Sequence, residues 1–283
     1  MTPPPDTFSD VAVAVGHAPA PDACAGTASR LPHYGRPYAV PAGDVVASSH
    51  WVTEAAYRAV EIAVALTGLV VSLPLMLLAA VLIRLDSPGP ALFFHRRPAR
   101  SIILRGRELE GRTDLRPPPE GYQPDGLYYV PSYFTLVKLR TMQWDAPTRF
   151  PQFYAYKFSP DEFHRQYPTH QCDPRVTRAG RVLRKLSIDE LPNLWSVLIG
   201  DMRLVGPRPE APEVLQYYAS EEMYKFAYKP GITGLAQVNG RGFLNWGETL
   251  AWDLHYIRTR SVALDLKIIA ATIKHVFTRR GAF

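Results

Sequence analysis

The chain has 283 residues, of which 47% are hydrophobic and 20% charged, a composition typical of a folded protein. Its net charge of +6 and pI near 9.3 favour anionic partners such as phospholipid, nucleic acid or a phosphorylated small molecule. Cys24 and Cys172 belong to no CxxC or Cys/His cluster, which excludes a cysteine zinc site and a disulfide framework and indicates a reducing compartment.

The first 50 residues are rich in Pro, Ala and Asp, as in TPPPDTFSD and APAPDACAG, and show no sustained helical or strand period. This composition predicts a disordered tail over residues 1–50. The tail lacks the positively charged start and the compact apolar core of a secretory signal, so we expect it to stay attached.

Residues 62–83 carry no charged side chain, and a membrane helix needs about 20 apolar residues. Pro74 lies near the centre of this segment, where it removes a backbone donor and predicts a kink or break. Thr67 and Ser72 are placed to satisfy a freed carbonyl. Composition alone favours a kinked transmembrane span, with a re-entrant hairpin as the alternative. We assign residues 51–85 to this membrane-inserted segment.

Positive charge follows the segment closely, whereas the tail before it is slightly acidic. By the positive-inside rule, the C-terminal side should be cytoplasmic, so residues 86–283 form the predicted cytoplasmic domain. The bias is carried by Arg84, Arg96, Arg97, Arg100, Arg105 and Arg107.

Two stretches rich in Tyr and Pro, at about residues 100–132 and 145–172, predict long surface insertions. Between them, FTLVKLRTM predicts a strand from Phe134 to Met142.

Apolar residues at helical spacing predict several helices in the last third of the chain. The first runs from Arg178 to about Leu186, and a second runs from residue 187 to Gly200. A helical stretch near residues 211–226 precedes the glycine-rich turn KPGITG. The last helix, from about Leu264 to Phe277, mixes apolar and basic residues, which fits a membrane-surface helix and an amphipathic core helix about equally.

The stretch SIDELP at residues 187–192 sets two carboxylates, Asp189 and Glu190, at the predicted start of the second helix. Ser187 and Glu190 fit a capping box, and Asp189 fits an N-cap that leaves Pro192 in the first turn. Taken alone, the stretch favours helix capping. The alternative is chemistry, because a helix N-terminus would keep Asp189 ionised as a nucleophile on phosphorus and let Glu190 hold Mg²⁺.

Other polar residues support the chemical alternative. Arg208 lies between two prolines, a stiff mount for a guanidinium that binds phosphate. Lys138 and Arg140 lie on the predicted strand with no acidic neighbour in sequence, and Asp253 is a candidate for a second metal-binding or substrate-orienting carboxylate. The sequence holds no Walker A loop, GxGxxG or HExxH pattern, which removes the usual support for nucleotide-triphosphate hydrolysis, dinucleotide binding and zinc proteolysis.

With these residues assembled, the chain resembles the bacterial sugar transferases, also called monotopic phosphoglycosyl transferases or polyprenyl-phosphate phosphosugar transferases. The resemblance covers most of residues 55–278 apart from the two insertions. His95, Arg97 and Ala99 depart from the Q-x-R-x-G pattern common in members. The resemblance rests on an ordered series of motifs: LDSPGPALFFHRRP, VKLRTM, RVTRAGRVLRKLSIDELPNLWSVLIGDMRLVGPRPE, KPGITGLAQVNGR and WDLHYIRTRSVALDLKII.

The resemblance implies an α-rich fold with minor β structure. In it, a re-entrant helix-break-helix anchor, broken at Pro74 beside Ser72, replaces the full span that composition favours. The anchor carries a small catalytic domain with amphipathic interfacial helices at the cytoplasmic face of the bacterial inner membrane, in contact with membrane phospholipid.

The implied reaction transfers a sugar-1-phosphate from a UDP-sugar to polyprenyl (undecaprenyl) phosphate and releases UMP, which starts an exopolysaccharide, capsule, O-antigen or glycoprotein glycan. By position, Asp189 would be the nucleophile that carries the phosphosugar, Glu190 would ligate Mg²⁺, and Lys138 would complete the catalytic set. The predicted substrate-binding residues are Arg208, Pro207, Arg140, Asp253 and Arg184.

Two other functions also agree with parts of the sequence. A catalytically silent membrane scaffold that recruits glycan-assembly enzymes would not need all of these polar residues. A nucleic-acid binder is suggested only by the basic pI, and the chain lacks a recognition motif, so nucleic acid is not an expected partner. A second copy of the chain and downstream glycosyltransferases are possible protein partners.

Overall fold

A computed structural model describes residues 36–42, 51–166, 173–240 and 243–278. Over these residues the chain is rich in helix with short strands, which confirms the coarse fold class. The helices are α1 (Trp51–Asp86), α2 (Gly106–Leu109), α3 (Ala146–Arg149), α4 (Pro160–Arg165), α5 (Arg178–Lys185), α6 (Asn193–Ile199), α7 (Leu235–Gly240), α8 (Trp246–Thr259) and α9 (Val262–Thr278). The strands are β1 (Val40–Pro41), β2 (Leu92–Pro98), β3 (Ile102–Arg105), β4 (Leu127–Val130), β5 (Tyr133–Leu139), β6 (Arg203–Val205) and β7 (Gly231–Thr233).

Helix α1 contains the predicted membrane segment and extends it toward the N-terminus. Residues 54–86 are long and apolar enough to cross a membrane. The helix runs unbroken through Pro74, so the break predicted at Pro74 and Ser72 is not seen. An internal proline removes one backbone hydrogen bond, and the other bonds of a long helix can hold it together. Ser72 Oγ donates to the carbonyl oxygen of Leu69 at 3.5 Å.

One face of α1 packs on the rest of the chain. Ala65 joins a buried cluster with Phe134 and Leu136, while Ala79 packs in a cluster with Leu139. The remaining surface of the helix is exposed and apolar, which suits contact with lipid. Its exposed residues include Val60, Val64, Leu66, Val70, Val71, Leu73, Leu77, Leu78, Val81, Leu82 and Leu85.

Charged residues near both ends of α1 bond to the rest of the chain. Glu54 accepts hydrogen bonds from Arg203 at 2.8 Å and from Arg260 at 2.6 Å. At the other end, Asp86 accepts the backbone N–H of Ala179 at 2.9 Å. Both ends of the helix therefore contact the same globular part of the protein.

Strands β2 and β5 form an antiparallel ribbon that carries polar residues toward one face. The strand predicted over residues 134–142 is confirmed, although it ends at Leu139. Side chains alternate between faces, and directly opposed residues share a face. The register pairs Phe93 with Lys138, His95 with Leu136 and Arg97 with Phe134, so Lys138, His95 and Arg97 lie on one face.

Strands β6 and β7 pair in parallel and bring the GPRPE loop against the KPGITG turn. The backbones approach so closely that a Cβ added at Gly231 would lie 2.0 Å from the amide nitrogen of Gly206. Only glycine fits at position 231. Pro207 accepts the N–H of Gly231 at 2.9 Å, which fixes the start of the loop.

The first predicted insertion folds into a small module of its own. Strands β1, β4 and β3 form one antiparallel sheet. Residues 36–42, which fall in the predicted tail, contribute β1 to this sheet. The other residues of the predicted tail, 1–35 and 43–50, lie outside the described residues. The module has a separate small core of Ala39, Leu109, Leu115, Tyr128 and Val130.

The second predicted insertion is not a surface appendage over its described residues. Phe163, on α4, is buried and stacks between Tyr217 and Trp246, with ring centroids 4.7 Å and 4.9 Å apart. Aromatic stacking of this kind binds α4 to the largest hydrophobic core, which includes residues of α8. Residues 167–172 of the insertion lie outside the described residues.

Two of the four predicted helices are confirmed: the one predicted to begin at Arg178 is α5, and the last one is α9. A third was predicted as an α-helix but has a different helix type. The stretch near residues 211–226 instead forms two 3₁₀ helices, Pro212–Tyr217 and Glu221–Ala227. Residues 218–220 separate these short helices, so no continuous α-helix forms. In α9, Leu264 and Ile268 are buried in the core while Leu266 and Ile273 are exposed, so this helix has a core-facing side and an exposed apolar side.

Candidate active site

Four residues predicted to be functional meet at one place. Lys138 on β5 donates to Glu190 Oε1 at 2.7 Å, across 52 residues of sequence. Arg208 Nη2 lies 3.8 Å from the same oxygen. Asp189, next to Glu190 in the chain, is only 8% exposed. The structure thus gathers a buried carboxylate, a paired carboxylate and two cations.

The turn that carries the two carboxylates is not the first turn of an α-helix. Residues 188–190 form a 3₁₀ turn, and α6 begins at Asn193 with Pro192 as its N-cap. Ser187 has a left-handed backbone, φ 55°, and makes no capping hydrogen bond. Both capping interpretations are therefore wrong, including the one that made Asp189 the cap. A positive φ in a residue other than glycine is uncommon, and such strain clusters at functional sites.

The electrostatics of Asp189 differ from the prediction for a helix N-terminus. Burial raises the pKa of this carboxyl, and the charge of Glu190 raises the pKa further. Lys138 and Arg184 act in the opposite direction and lower it. The charges of Lys138 and Arg184 and a backbone hydrogen bond, rather than a helix dipole, therefore favour the ionised form of Asp189.

Arg184 lies close enough to Asp189 for the two charges to affect each other. Its Nε donates to Thr141 Oγ1 at 2.9 Å. Burial lowers the pKa of Arg184, while the charges of Asp189 and Asp173 raise it. The hydrogen bond to Thr141 orients the guanidinium, which holds positive charge near Asp189.

Arg140 does not fit its predicted role in substrate binding. It is 4% exposed, and its guanidinium is directed to the loop that follows α1. There it donates to the carbonyl of Pro90 at 2.6 Å, to Ser87 Oγ at 2.9 Å and to the carbonyl of Ser87 at 3.0 Å. The residue ties the end of the membrane helix to β5, so we assign it a structural role.

Asp253 lies behind the Arg208 loop and not against the two carboxylates. Lys225 Nζ is 2.9 Å from Asp253 Oδ2 and 2.5 Å from Glu210 Oε1. All three side chains are buried, and Glu210 belongs to the loop that carries Arg208. We call Glu210, Lys225 and Asp253 the buried triad. It joins Asp253 of α8 to the loop that carries Arg208.

The charges of the buried triad depend on one another. Burial raises the pKa of Asp253 to about 6, although Lys225 acts to lower it. Burial acts to lower the pKa of Lys225, but the charges of Asp253 and Glu210 outweigh burial and raise it well above its usual range. Lys225 is therefore a buried ammonium held between two carboxylates.

Arg97 is a candidate that the sequence prediction did not assign to the site. It lies on the same face of the ribbon as Lys138. Burial lowers its pKa, Glu210 raises it and Arg208 lowers it, so Arg97 lies close to the Arg208 loop. Its Nε is buried and makes no hydrogen bond to any residue that the structure describes. The alternation of FFHRRP along β2 was the signal that could have placed it.

The arrangement suits a Mg²⁺ ion bound through substrate, not one held by the protein alone. No group of three or more acidic, His or Cys ligands occurs in the described parts of the chain. Mg²⁺ is commonly held by one or two carboxylates together with substrate phosphates. Glu190 beside Asp189 provides such a carboxylate, and their mutual repulsion would be relieved by a cation.

The chain matches a known protein family and several individual relatives. The family described as bacterial sugar transferase matches residues 52–105 and 129–279. Residues 106–128, within the first module, fall outside the match, whereas the described part of the second insertion falls inside it.

Individual relatives carry related names. The chain is 31% identical to the exopolysaccharide production protein ExoY of Sinorhizobium fredii, over 80% of this chain and 87% of the relative. It is 38% identical to an undecaprenyl-phosphate glucose phosphotransferase of Komagataeibacter xylinus, over 80% of this chain but only 36% of that relative. It is 39% identical to a UDP-glucose:undecaprenyl-phosphate glucose-1-phosphate transferase of Caulobacter vibrioides, over 74% of this chain and 65% of the relative.

Proposed function

The chain belongs to the bacterial sugar transferase family and is a phosphoglycosyl transferase, and from that premise we propose its reaction. The protein transfers a sugar-1-phosphate from a UDP-sugar to a polyprenyl phosphate such as undecaprenyl phosphate, and releases UMP. The product starts a bacterial surface glycan. The observation that carries the proposal is a buried Asp189 beside Glu190, with Lys138, Arg184 and Arg208 around them.

The reaction has two displacement steps on one phosphorus atom. In the first, a carboxylate oxygen of Asp189 bonds to the phosphorus that bears the sugar, and the bond from that phosphorus to the UMP oxygen breaks. In the second, a phosphate oxygen of the polyprenyl phosphate attacks the same phosphorus and the bond to Asp189 breaks. The nucleophile is thereby restored.

The cations around the carboxylates suit a diphosphate substrate. Lys138, Arg184, Arg208 and Arg97 place positive charge where a diphosphate must approach two acidic side chains. The buried Nε of Arg97 gains an acceptor if a phosphate oxygen binds beside it. Mg²⁺, held by Glu190, would supply further neutralisation of phosphate charge.

Purified protein tests the proposal directly. UMP release is measured from a panel of UDP-sugars with Mg²⁺, with and without polyprenyl phosphate. We expect a burst equal to the amount of enzyme without the lipid and continuous turnover with it. No release from any UDP-sugar would contradict the proposed reaction.

The role of Glu190 gives a separate prediction. In Glu190→Gln, the Mg²⁺ concentration for half-maximal UMP release is expected to rise about tenfold or more, because a neutral amide is a weaker ligand than a carboxylate. The matched control is Glu120→Gln, at an exposed position outside the family match, which should leave the Mg²⁺ dependence unchanged. If Glu190→Gln lowers the rate at every Mg²⁺ concentration by one constant factor, the residue does not hold the metal.

We further propose that α1 enters the membrane from one face only, at the cytoplasmic side of the inner membrane. A straight helix of this length would extend about 54 Å, more than the hydrocarbon core of about 30 Å. Glu54 and Asp86, near opposite ends, nevertheless bond to the same globular part of the chain. Such contacts support a monotopic anchor, because one globular part cannot contact both ends of a helix from opposite faces of a membrane.

Cysteine labelling tests this topology. In a background with Cys24→Ser and Cys172→Ser, Ala55→Cys and Arg84→Cys place single thiols at exposed positions near the two ends of α1. A membrane-impermeant maleimide is expected to label both thiols in inverted inner-membrane vesicles and neither in intact spheroplasts. Labelling of one thiol from each side would establish a spanning helix instead.

A further inference from the structure

A cavity of about 360 Å³ opens between the second insertion and the 3₁₀ helix that follows the Arg208 loop. Its volume falls in the usual range of small-molecule sites, about 300–1,000 Å³. Three parts of the chain build its wall: Pro37 near β1, the second insertion, and the 3₁₀ helix Pro212–Tyr217. The side chains that the argument uses are Tyr154, Tyr156, Glu213 and Gln216.

The backbone at Tyr156 is held in an unusual conformation. Its φ is 41°, and a positive φ in a bulky residue is a genuine outlier that surrounding structure must maintain. The hydroxyl of Tyr217 donates to the carbonyl of Tyr156. Tyr217 is in turn buried in the aromatic stack with Phe163. The wall formed by the insertion is therefore anchored to the main core.

The cavity adjoins the proposed phosphate-binding residues. Strand β2, which carries Arg97, packs against the 3₁₀ helix that carries Glu213 and Gln216. Arg97 neighbours Arg208, whose guanidinium lies near Glu190. A diphosphate held by Arg97 and Arg208 would therefore have one of its two substituents next to the cavity.

The one charged group among the residues that line the wall is a hydrogen-bond acceptor, the carboxylate of Glu213. Gln216 Nε2 donates to the backbone carbonyl of Glu213 at 2.8 Å, which leaves the amide oxygen Oε1 as an acceptor and one amide N–H as a donor. A uracil ring offers only one N–H donor to the carboxylate. A sugar offers several hydroxyl donors, and its C–H face can pack on a tyrosine ring.

We propose that this cavity binds the sugar of the UDP-sugar, with Glu213 and Gln216 selecting the configuration of its hydroxyl groups and Tyr154 and Tyr156 packing against its ring. The proposal rests on the proposed function and names the part of the chain that chooses the donor sugar.

Binding measurements separate this proposal from the reaction itself. Dissociation constants for UDP and for a panel of UDP-hexoses and UDP-N-acetylhexosamines are measured by calorimetry in Asp189→Asn, which removes the nucleophile. The same titrations are made after adding Glu213→Gln or Gln216→Ala. Glu221→Gln is the matched control, because this exposed glutamate lies outside the cavity. UMP release by the native chain is the independent readout of the proposed function.

We expect at least one UDP-sugar to bind more tightly than UDP. Glu213→Gln should change the ratio of dissociation constants between hydroxyl epimers by about tenfold, with UDP affinity within twofold of its starting value. The proposal is overturned if the ratios of dissociation constants between UDP-sugars stay constant in both variants. It is also overturned if the affinity for UDP falls in parallel with the affinity for every UDP-sugar, because the cavity would then bind the nucleoside. A panel in which no sugar binds more tightly than UDP would also overturn it.

Discussion

Replacing Asp189 by asparagine is expected to lower UMP release at least about a thousandfold, because an amide cannot form the phosphosugar ester. The burst without polyprenyl phosphate and the turnover with it should both be lost, since both pass through the same carboxylate oxygen. Rates are measured with the UDP-sugar that the native protein turns over fastest.

The fold of this variant should be intact. Burial raises the pKa of Asp189, because this site favours the neutral form of the carboxyl over the ionised form. We therefore expect the thermal midpoint of Asp189→Asn to equal or exceed that of the native chain. Asp125→Asn is the control, since its side chain is 86% exposed, and both its activity and its midpoint should be unchanged. Turnover that survives in Asp189→Asn would remove the residue from the mechanism.

Replacing Lys225 by methionine is expected to give the largest loss of stability, about 3–5 kcal/mol in the free energy of unfolding. The change leaves Glu210 and Asp253 buried without the ammonium that holds them together. Because Glu210 belongs to the Arg208 loop, UMP release should fall as well. Stability is measured by denaturant unfolding in detergent micelles.

Two further variants make this result specific. Lys267→Met, at an exposed position on α9, should change stability by no more than about 0.5 kcal/mol. Combining Lys225→Met with Glu210→Gln and Asp253→Asn removes the unpaired charges and should restore most of the lost stability. If Lys225→Met alone is as stable as the native chain, the buried triad does not hold the loop.

The membrane helix was the part best predicted from the sequence. An uncharged apolar segment indicates a membrane helix whatever its partners are. The contacts of Glu54 with Arg203 and Arg260 were not predictable, because they join residues about 150 and 200 positions apart. The proposal that both ends of α1 lie on one side of the membrane rests on such contacts and not on hydrophobicity.

Local patterns were misleading at SIDELP. Ser187 and Glu190 have the spacing of a capping box, but the left-handed backbone at Ser187 and the 3₁₀ turn after it remove that geometry. Tertiary contacts at Glu190, notably the ion pair with Lys138, accompany this departure from the local preference. A conflict between local pattern and structure is most expected at a functional site.

The roles of Arg140 and Lys225 show what sequence cannot supply. Both are basic residues with hydrophobic neighbours in the sequence. Such a local pattern does not distinguish a buried structural cation from one that binds substrate. Arg140 is bonded to the loop after α1, and Lys225 to two carboxylates 15 and 28 residues away. Arg208 lies near Glu190, and its role in substrate binding stays a prediction.

Peptide mapping by mass spectrometry tests the central claim most directly. Native protein is incubated with Mg²⁺ and its preferred UDP-sugar without polyprenyl phosphate, quenched in acid and digested. The account predicts that the mass of one phosphosugar is added to the peptide containing Asp189, at that residue, and that the adduct disappears when polyprenyl phosphate is added before the quench. Turnover without any adduct, or an adduct on a different residue, would contradict it.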